Sequence, residues 1–283
     1  ILGGGDDEKE ARQVRECQEI YEKSKSWSDR GQFSVGIHAG YTVTEETMLW
    51  ATNFAVDHDL LIHTHLSETE KENKDSLELY GVSPTKRFKR LGILSDRVIA
   101  AHGVWVDEED IEILGNRKVT IVHNVNSNLK LSSGYKFKYK ELKKAGANVV
   151  FGTDGTASSN NLDVLESMKT SALLQKAWRK DPGAMPLQEI MDMATKDSAK
   201  ALRLNSGEIA EGKLADIVLV NTKSAAFTPN YNFLANLIYS ANSSCVDTVI
   251  CDGKVIMRGR VVPGEDEILE NAARMAEKLA KNL

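Results

Sequence analysis

Cysteine is scarce. Cys17, Cys245 and Cys251 are the three in 283 residues, and none stands in a CxxC spacing. So odd and sparse a set argues against a disulfide framework and against a thiolate metal cluster. It suits a reducing cytoplasm, with the thiols expected as small buried hydrophobes. No apolar run approaches the roughly 18 residues of a membrane-spanning helix, and the amino end carries no signal-peptide pattern. Positive charge is in no excess. The 36 Lys and Arg face 41 Asp and Glu, a net charge of −5 spread along the chain, which leaves no electrostatic footprint for nucleic acid. Repeats and low-complexity tracts are missing too. The chain opens without methionine, at "ILGGGDD", which reads as the end of a strand running into a Gly/Asp loop and leads to the expectation of a missing upstream portion. What is present is an ordinary globular composition, 41% apolar and 27% charged, suited to a small-molecule partner.

Short apolar runs alternate with helical patterns, the signature of βα units and a parallel sheet. A polar amphipathic helix (about Glu8 to Lys25) precedes the strand "FSVGIHAG". A Thr44-capped helix then leads to "LLIHTHL", and helices follow over Glu68 to Tyr80 and Pro84 to Leu91. "RVIAAHG", "KVTIVHN" and "ANVVFGTDG" read as three more strands. Between them lie "DEEDIEILGN", with an aspartate cap, and "YKELKKAG", closed by glycine; a long helix over about Asn161 to Arg179 comes last. After Pro186, two helices lead to "GEIAEGKLADIVLVN" and to "CVDTVICDGKVIMRGR", a hairpin with Asp252-Gly253 as its turn. The expected organisation is a partial barrel over 1–205, part of a β-sandwich over 206–263 and a closing amphipathic helix over 264–283.

His38, His65, His102, His123 and Asp154 fall at or just past the carboxyl ends of the five strands. In a (β/α)8 barrel that is the face where loops converge and chemistry is built. One such histidine is ordinarily a packing residue; four with an aspartate in register point to a site. Imidazoles and a carboxylate at one mouth suit a borderline divalent cation, zinc first and iron second. Such an ion lowers the pKa of bound water toward neutrality.

The segments "HTHLSET", "AAHGVWVDEED", "VHNVNSNLKLSSG" and "FGTDGTASSNNLDVLESMKTSALLQK", in this order, resemble the amidohydrolase superfamily, in particular its methylthioadenosine/S-adenosylhomocysteine deaminase and s-triazine hydrolase-like group. The resemblance covers nearly the whole chain and implies an α/β fold, a (β/α)8 TIM-barrel metal-dependent hydrolase. Here the barrel would be incomplete, with strands about 3/4 to 8 beside the carboxyl-terminal part of a small β-sandwich. It implies His65 as the fifth-strand metal ligand and Glu68 as the glutamate that contacts substrate and shuttles protons to its ring. It further implies His102 as the sixth-strand histidine near the metal and its water, and Asp154 as ligand and general base. His38 in "HAGYT" resembles a substrate-contacting histidine. His123 and Asn128 match a pocket-lining segment, in which Val125 replaces the usual proline and would leave the loop less rigid.

On a strand, residues two apart point the same way, so His63 and His65 share a face, with His63 about 7 Å deeper. His63 is expected beneath His65 as a support for the site, although a pair at this spacing can also share a metal. The family's own His-x-His at the end of its first strand has no counterpart in this sequence. The resemblance therefore implies a chain truncated at its amino end, with open sheet edges prone to association and with weak metal affinity. The expected reaction is hydrolytic deamination of an aminopurine nucleoside or similar ring by metal-bound hydroxide. Glu68 would protonate a ring nitrogen, Asp154 would carry the proton to departing ammonia, and His102 would polarise the nucleophile. A guanine-type or s-triazine hydrolase, and an inactive fragment, are the alternatives. A homo-oligomer is left open. Arg12 and Arg15 read as a solvated helix face, with contact to a nucleoside tail as the other reading.

Overall fold

The structure, a computed structural model, describes residues 1–4, 7–28 and 30–281. Gly5 and Asp6 of the opening Gly/Asp segment, and Asn282 and Leu283 at the end of the expected closing helix, lie outside the described residues. Two compact units divide the chain, Ile1–Gly207 and Glu208–Leu283.

The first unit is built on five parallel strands in sequential order, β1 (Ser34–Ala39), β2 (Leu61–Leu66), β3 (Val98–His102), β4 (Thr120–His123) and β5 (Asn148–Phe151). Every residue of β3 and β4 is buried, the condition under which a parallel sheet reads as a continuous apolar run. The barrel is not closed. Leu2 extends the sheet beyond β1, its N–H donating to Gly36 O at 2.7 Å and its carbonyl accepting the His38 N–H at 2.8 Å.

The helices begin where their caps dictate. α1 (Asp7–Ser24) precedes the sheet and presents Arg12 and Arg15 to solvent, with Arg12 paired to Glu16 at 3.8 Å. α2 (Glu45–Asp57) is capped by the Thr44 side chain. α3 (Glu70–Tyr80) starts two residues later than its apolar pattern suggests, because Thr69 supplies the cap and Ser67 before it is left-handed (φ 49). α4 (Pro84–Arg90) has proline in its first turn, and α5 (Glu108–Asn116) opens with a capping box between Asp107 and Asp110.

The segment after β4, expected as a loop, is instead a short helix, α6 (Val125–Lys130). Val125 is its first residue and is buried, so apolar packing rather than a proline fixes this turn. α7 (Tyr139–Ala145) ends on left-handed Gly146, and the short α8 (Thr156–Ser159) follows β5. α9 (Val164–Arg179), capped by Asp163, α10 (Leu187–Ala194) and α11 (Lys196–Ala201) complete the unit.

Register places the site. Gly36 and Ile99 flank His63, and Ala39 and Ala101 flank His65, so both histidines of β2 lie on the face that also carries Val122 and Val150. Leu61, Ile99, Val122, Val150 and Ala201 pack together as one buried apolar cluster.

In the second unit β6 (Ile217–Val220), β7 (Val246–Cys251) and β8 (Lys254–Met257) form an antiparallel sheet, and a helix spans Glu265–Ala280. The β7–β8 turn is Asp252-Gly253, both with positive φ (48 and 72), as a two-residue hairpin of the mirror-image type requires. No disulfide joins the cysteines among the described residues; Cys245 is buried, whereas Cys17 and Cys251 are only half-buried, against the expectation for all three.

Candidate active site

A cavity of about 480 Å³ opens on the site face of the sheet, and His38, His63, His65, Asn124 and Asp154 line it. A larger hollow of about 700 Å³ lies among α3, α4 and α5, but none of the predicted site residues lines it and Lys86 there is already paired with Asp107 and Glu109.

His65 stands at the mouth of β2. Its Nδ1 lies 2.7 Å from His38 O, and a carbonyl can only accept, so Nδ1 carries the proton and Nε2 keeps its lone pair. His38 is fixed in the same way. Its Nδ1 lies 2.8 Å from Thr42 Oγ1, whose own proton goes to Ala39 O at 3.2 Å. Burial, and then the neighbouring His65, lowers the His38 pKa. His63 lies one layer down on the same face, its pKa lowered by desolvation and then by His65.

Strand alternation would turn His102 away from Ala101's face. The left-handed backbone at His102 (φ 79) breaks that alternation, and its ring stacks on His65 with centroids 5.4 Å apart. His102 is buried, and its Nδ1 meets Asn128 Oδ1 at 2.7 Å. This leaves Nε2 facing two carboxylates, Glu68 Oε2 at 3.7 Å and Asp154 Oδ2 at 4.0 Å.

Asp154 is also left-handed (φ 62). Ser127 Oγ donates to its Oδ2 at 2.6 Å and the Gly155 N–H to its Oδ1 at 2.7 Å. Burial by itself would raise this carboxyl's pKa; the Ser127 hydroxyl, the Gly155 amide and the His102 and His65 imidazoles hold it below the usual aspartate value. Gly152 keeps the approach open, since a Cβ there would sit 2.3 Å from Asn124 Oδ1. Glu68 comes from the loop after β2, and its Oε1 accepts the Ser133 hydroxyl at 3.0 Å.

His123 is placed differently. It stacks flat on Phe137 at 4.0 Å, off the cavity lining, and neither ring nitrogen finds a partner among the described residues. Burial, then the nearby His102, pushes its pKa down to about 3, so the ring is neutral. Asn128 spends Oδ1 on His102 and leaves Nδ2 without a partner among the described residues. Ser127, Ser133 and Thr42, which orient the predicted residues, carry no signal in the sequence beyond ordinary polarity.

The donor chemistry suits a divalent metal. Two imidazoles present Nε2 with tautomers fixed from behind, beside a carboxylate held ionised. The set is small, however: among the described residues no three His, Cys, Asp or Glu side chains are gathered as a group that could hold an ion.

A parallel sheet with strand-end imidazoles and an aspartate on one face is the arrangement that barrel-type hydrolases build at the carboxyl ends of their strands. The amidohydrolase family profile matches residues 5–256, and the chain belongs to that family. It is 42% identical over 278 residues to a 5'-deoxyadenosine deaminase of Methanoregula boonei, a match covering 98% of this chain and 63% of the relative. With a 5-methylthioadenosine/S-adenosylhomocysteine deaminase of Thermococcus sibiricus it shares 44% identity over 254 residues, 89% of this chain and 60% of the relative. The crystal structure of an adenosine deaminase from Xanthomonas campestris with bound zinc superimposes with a TM-score of 0.91 at 31% identity, covering 96% of this chain and 62% of that one. The chain thus spans less than two thirds of the length of these relatives. No described helix is long and apolar enough to cross a membrane.

Proposed function

We propose that this chain carries the catalytic side chains of a hydrolytic deaminase acting on an adenosine-type nucleoside. The observation that carries the reading is the meeting of His102 Nε2 with Glu68 at 3.7 Å and Asp154 at 4.0 Å, beside His65. Similarity to deaminases of adenosine-type nucleosides supports the substrate class.

His65, His102 and Asp154 would supply part of the ligand set of a divalent metal, zinc first, which when bound supplies a water of lowered pKa. Asp154, held ionised, accepts the proton of the attacking water at a carboxylate oxygen and returns it to the leaving amine. Glu68 donates a proton to the ring nitrogen next to the amine-bearing carbon, so that the ring accepts electrons as the C–O bond forms. Collapse breaks the C–N bond and releases ammonia, the hydroxyl proton on the former water oxygen returns to Glu68, and the keto ring keeps on its nitrogen the proton Glu68 gave. His102 keeps Nε2 between the carboxylates because Asn128 occupies its other nitrogen. His38, with Nδ1 committed to Thr42, turns Nε2 to the cavity as a substrate contact.

Ammonia release by the complete gene product, with zinc, tests the reading. 5'-Deoxyadenosine and 5-methylthioadenosine should be substrates, with guanine and an aminotriazine much poorer. Release from guanine or the triazine alone would move the assignment to the alternative substrates, and release from none of the four would end it.

A further inference from the structure

We propose that Glu72 is a positioning residue for Glu68, gripping the main chain of the turn that carries it. This rests on the reading of Glu68 as proton donor.

Glu72 lies in the first turn of α3 and is buried. A glutamate three residues after a threonine cap ordinarily turns back on the cap's own N–H. Glu72 reaches further along the chain. Its Oε1 accepts the Ser67 N–H at 2.9 Å and its Oε2 the Glu68 N–H at 2.6 Å. Two successive main-chain donors on the two oxygens of one carboxylate fix the direction in which the chain leaves β2.

The grip is needed because Ser67 is left-handed, a conformation that a serine keeps when its surroundings determine it. The other side of the turn is tied to the segment after β3. Ser67 O accepts the N–H groups of Val104 and Trp105, each at 3.0 Å, and Ser67 Oγ bonds Asn73 Oδ1 at 3.2 Å. Asn73 in turn donates to Trp105 O, and Trp105 Nε1 donates to Ser133 O at 2.5 Å. Ser133 is the residue whose hydroxyl holds Glu68. Both ends of Glu68 are therefore registered, its backbone by Glu72 and its carboxylate by Ser133.

A glutamine at 72 offers one acceptor and one donor, so one of the two N–H groups would face an N–H. The test combines Glu68→Gln, Glu72→Gln and the double variant in the complete gene product, assayed on 5'-deoxyadenosine, with amide hydrogen exchange as a second readout. Glu72→Gln should lower kcat by about 10- to 100-fold with KM held within about 3-fold. Exchange at Ser67 and Glu68 should quicken while β3 and β4 stay protected. In the Glu68→Gln background the same change should cost less than about 2-fold, because it acts through a group already removed. Full cost in that background, unchanged kcat, or unchanged exchange at the two amides would overturn the proposal while leaving Glu68 its role. An undiminished rate for Glu68→Gln would instead remove the donor reading, and this one with it. Should Glu72→Gln fail to fold, Glu72→Asp, which keeps two acceptors but withdraws them by one methylene, goes through the same cycle.

Discussion

At the scale of single residues, the site depends on ring nitrogens committed from behind. Asn128→Leu should cost about 10- to 100-fold in kcat/KM, the range for losing a group that orients a ligand, whereas Asn128→Asp, which keeps an acceptor for His102 Nδ1, should retain most activity. Equal losses in the two would show that Asn128 serves packing alone. Glu68→Gln should lower kcat by about 10²- to 10⁴-fold, as expected when a general acid is removed. His123 gives a stability prediction. Its pKa is depressed to about 3 in the folded chain by burial, so unfolding exposes a ring that takes up a proton below its ordinary value of about 6.5. The stabilisation is complete above pH 6.5 and is lost as the pH falls from there toward 3. Near pH 5 the loss is about 2 kcal/mol. Denaturant unfolding of His123→Phe should remove that part of the slope between pH 7 and 5, and an unaltered slope would contradict the neutral, unpartnered ring.

At the scale of elements, the Glu141–Arg179 pair joins α7 to α9. Two bonds of 2.8 and 2.6 Å link them, and the guanidinium also lies over the Tyr139 and Trp178 rings. Arg179 holds the Glu141 carboxyl below its usual pKa, so the stabilisation is present above the unfolded value and is lost as the pH drops through the folded one. Glu141 is partly exposed, and Glu141→Gln should therefore cost only about 1 kcal/mol at pH 7, with wild type and variant converging near pH 3. A gap that persisted at pH 3 would assign the effect to packing. The strands were legible in the sequence because apolar runs between turn residues belong to a buried parallel sheet, and the β7–β8 turn because Asp-Gly suits positive φ. α6 was not legible. Six residues, "VNSNLK", lack helical periodicity, and their helix is set by what they touch: Ser127 bonds Asp154 and Asn128 bonds His102. His65, Glu68, His102 and Asp154 could be found from motif order, and the structure brings them together. Strand alternation alone would have misdirected His102, since its left-handed backbone depends on tertiary surroundings. The groups that hold the four, Ser127, Ser133 and Glu72, come from elements distant in sequence or from a helix start, where their spacing resembles any polar surface.

At the scale of the whole molecule, the sheet puts a half-open site face beside its chemistry. His63 is exposed on that face, one layer under His65, while Ile99 beside it and Val122 and Val150 in the row of His65 are buried. The donors for a metal reach it from three strand ends, and catalytic zinc sites ordinarily take three protein ligands with an open fourth position. His65 and His102 have tautomers set for coordination, yet the His102 Nε2 to Asp154 distance of 4.0 Å is too long for the described residues to make a compact cage. Zinc titrated calorimetrically into the 283-residue chain should therefore bind with a dissociation constant above about 1 µM, short of the roughly 10 kcal/mol or more that complete structural sites supply. His65→Ala should weaken it further, because the lone pair at Nε2 is the donor best prepared by its surroundings. His63→Ala should leave it within about 3-fold, as befits a ring behind the ligands rather than among them. A nanomolar one-to-one isotherm, or equal losses from the two variants, would make His63 and His65 a metal-binding pair in their own right and would reassign the lower layer of the sheet from support to coordination.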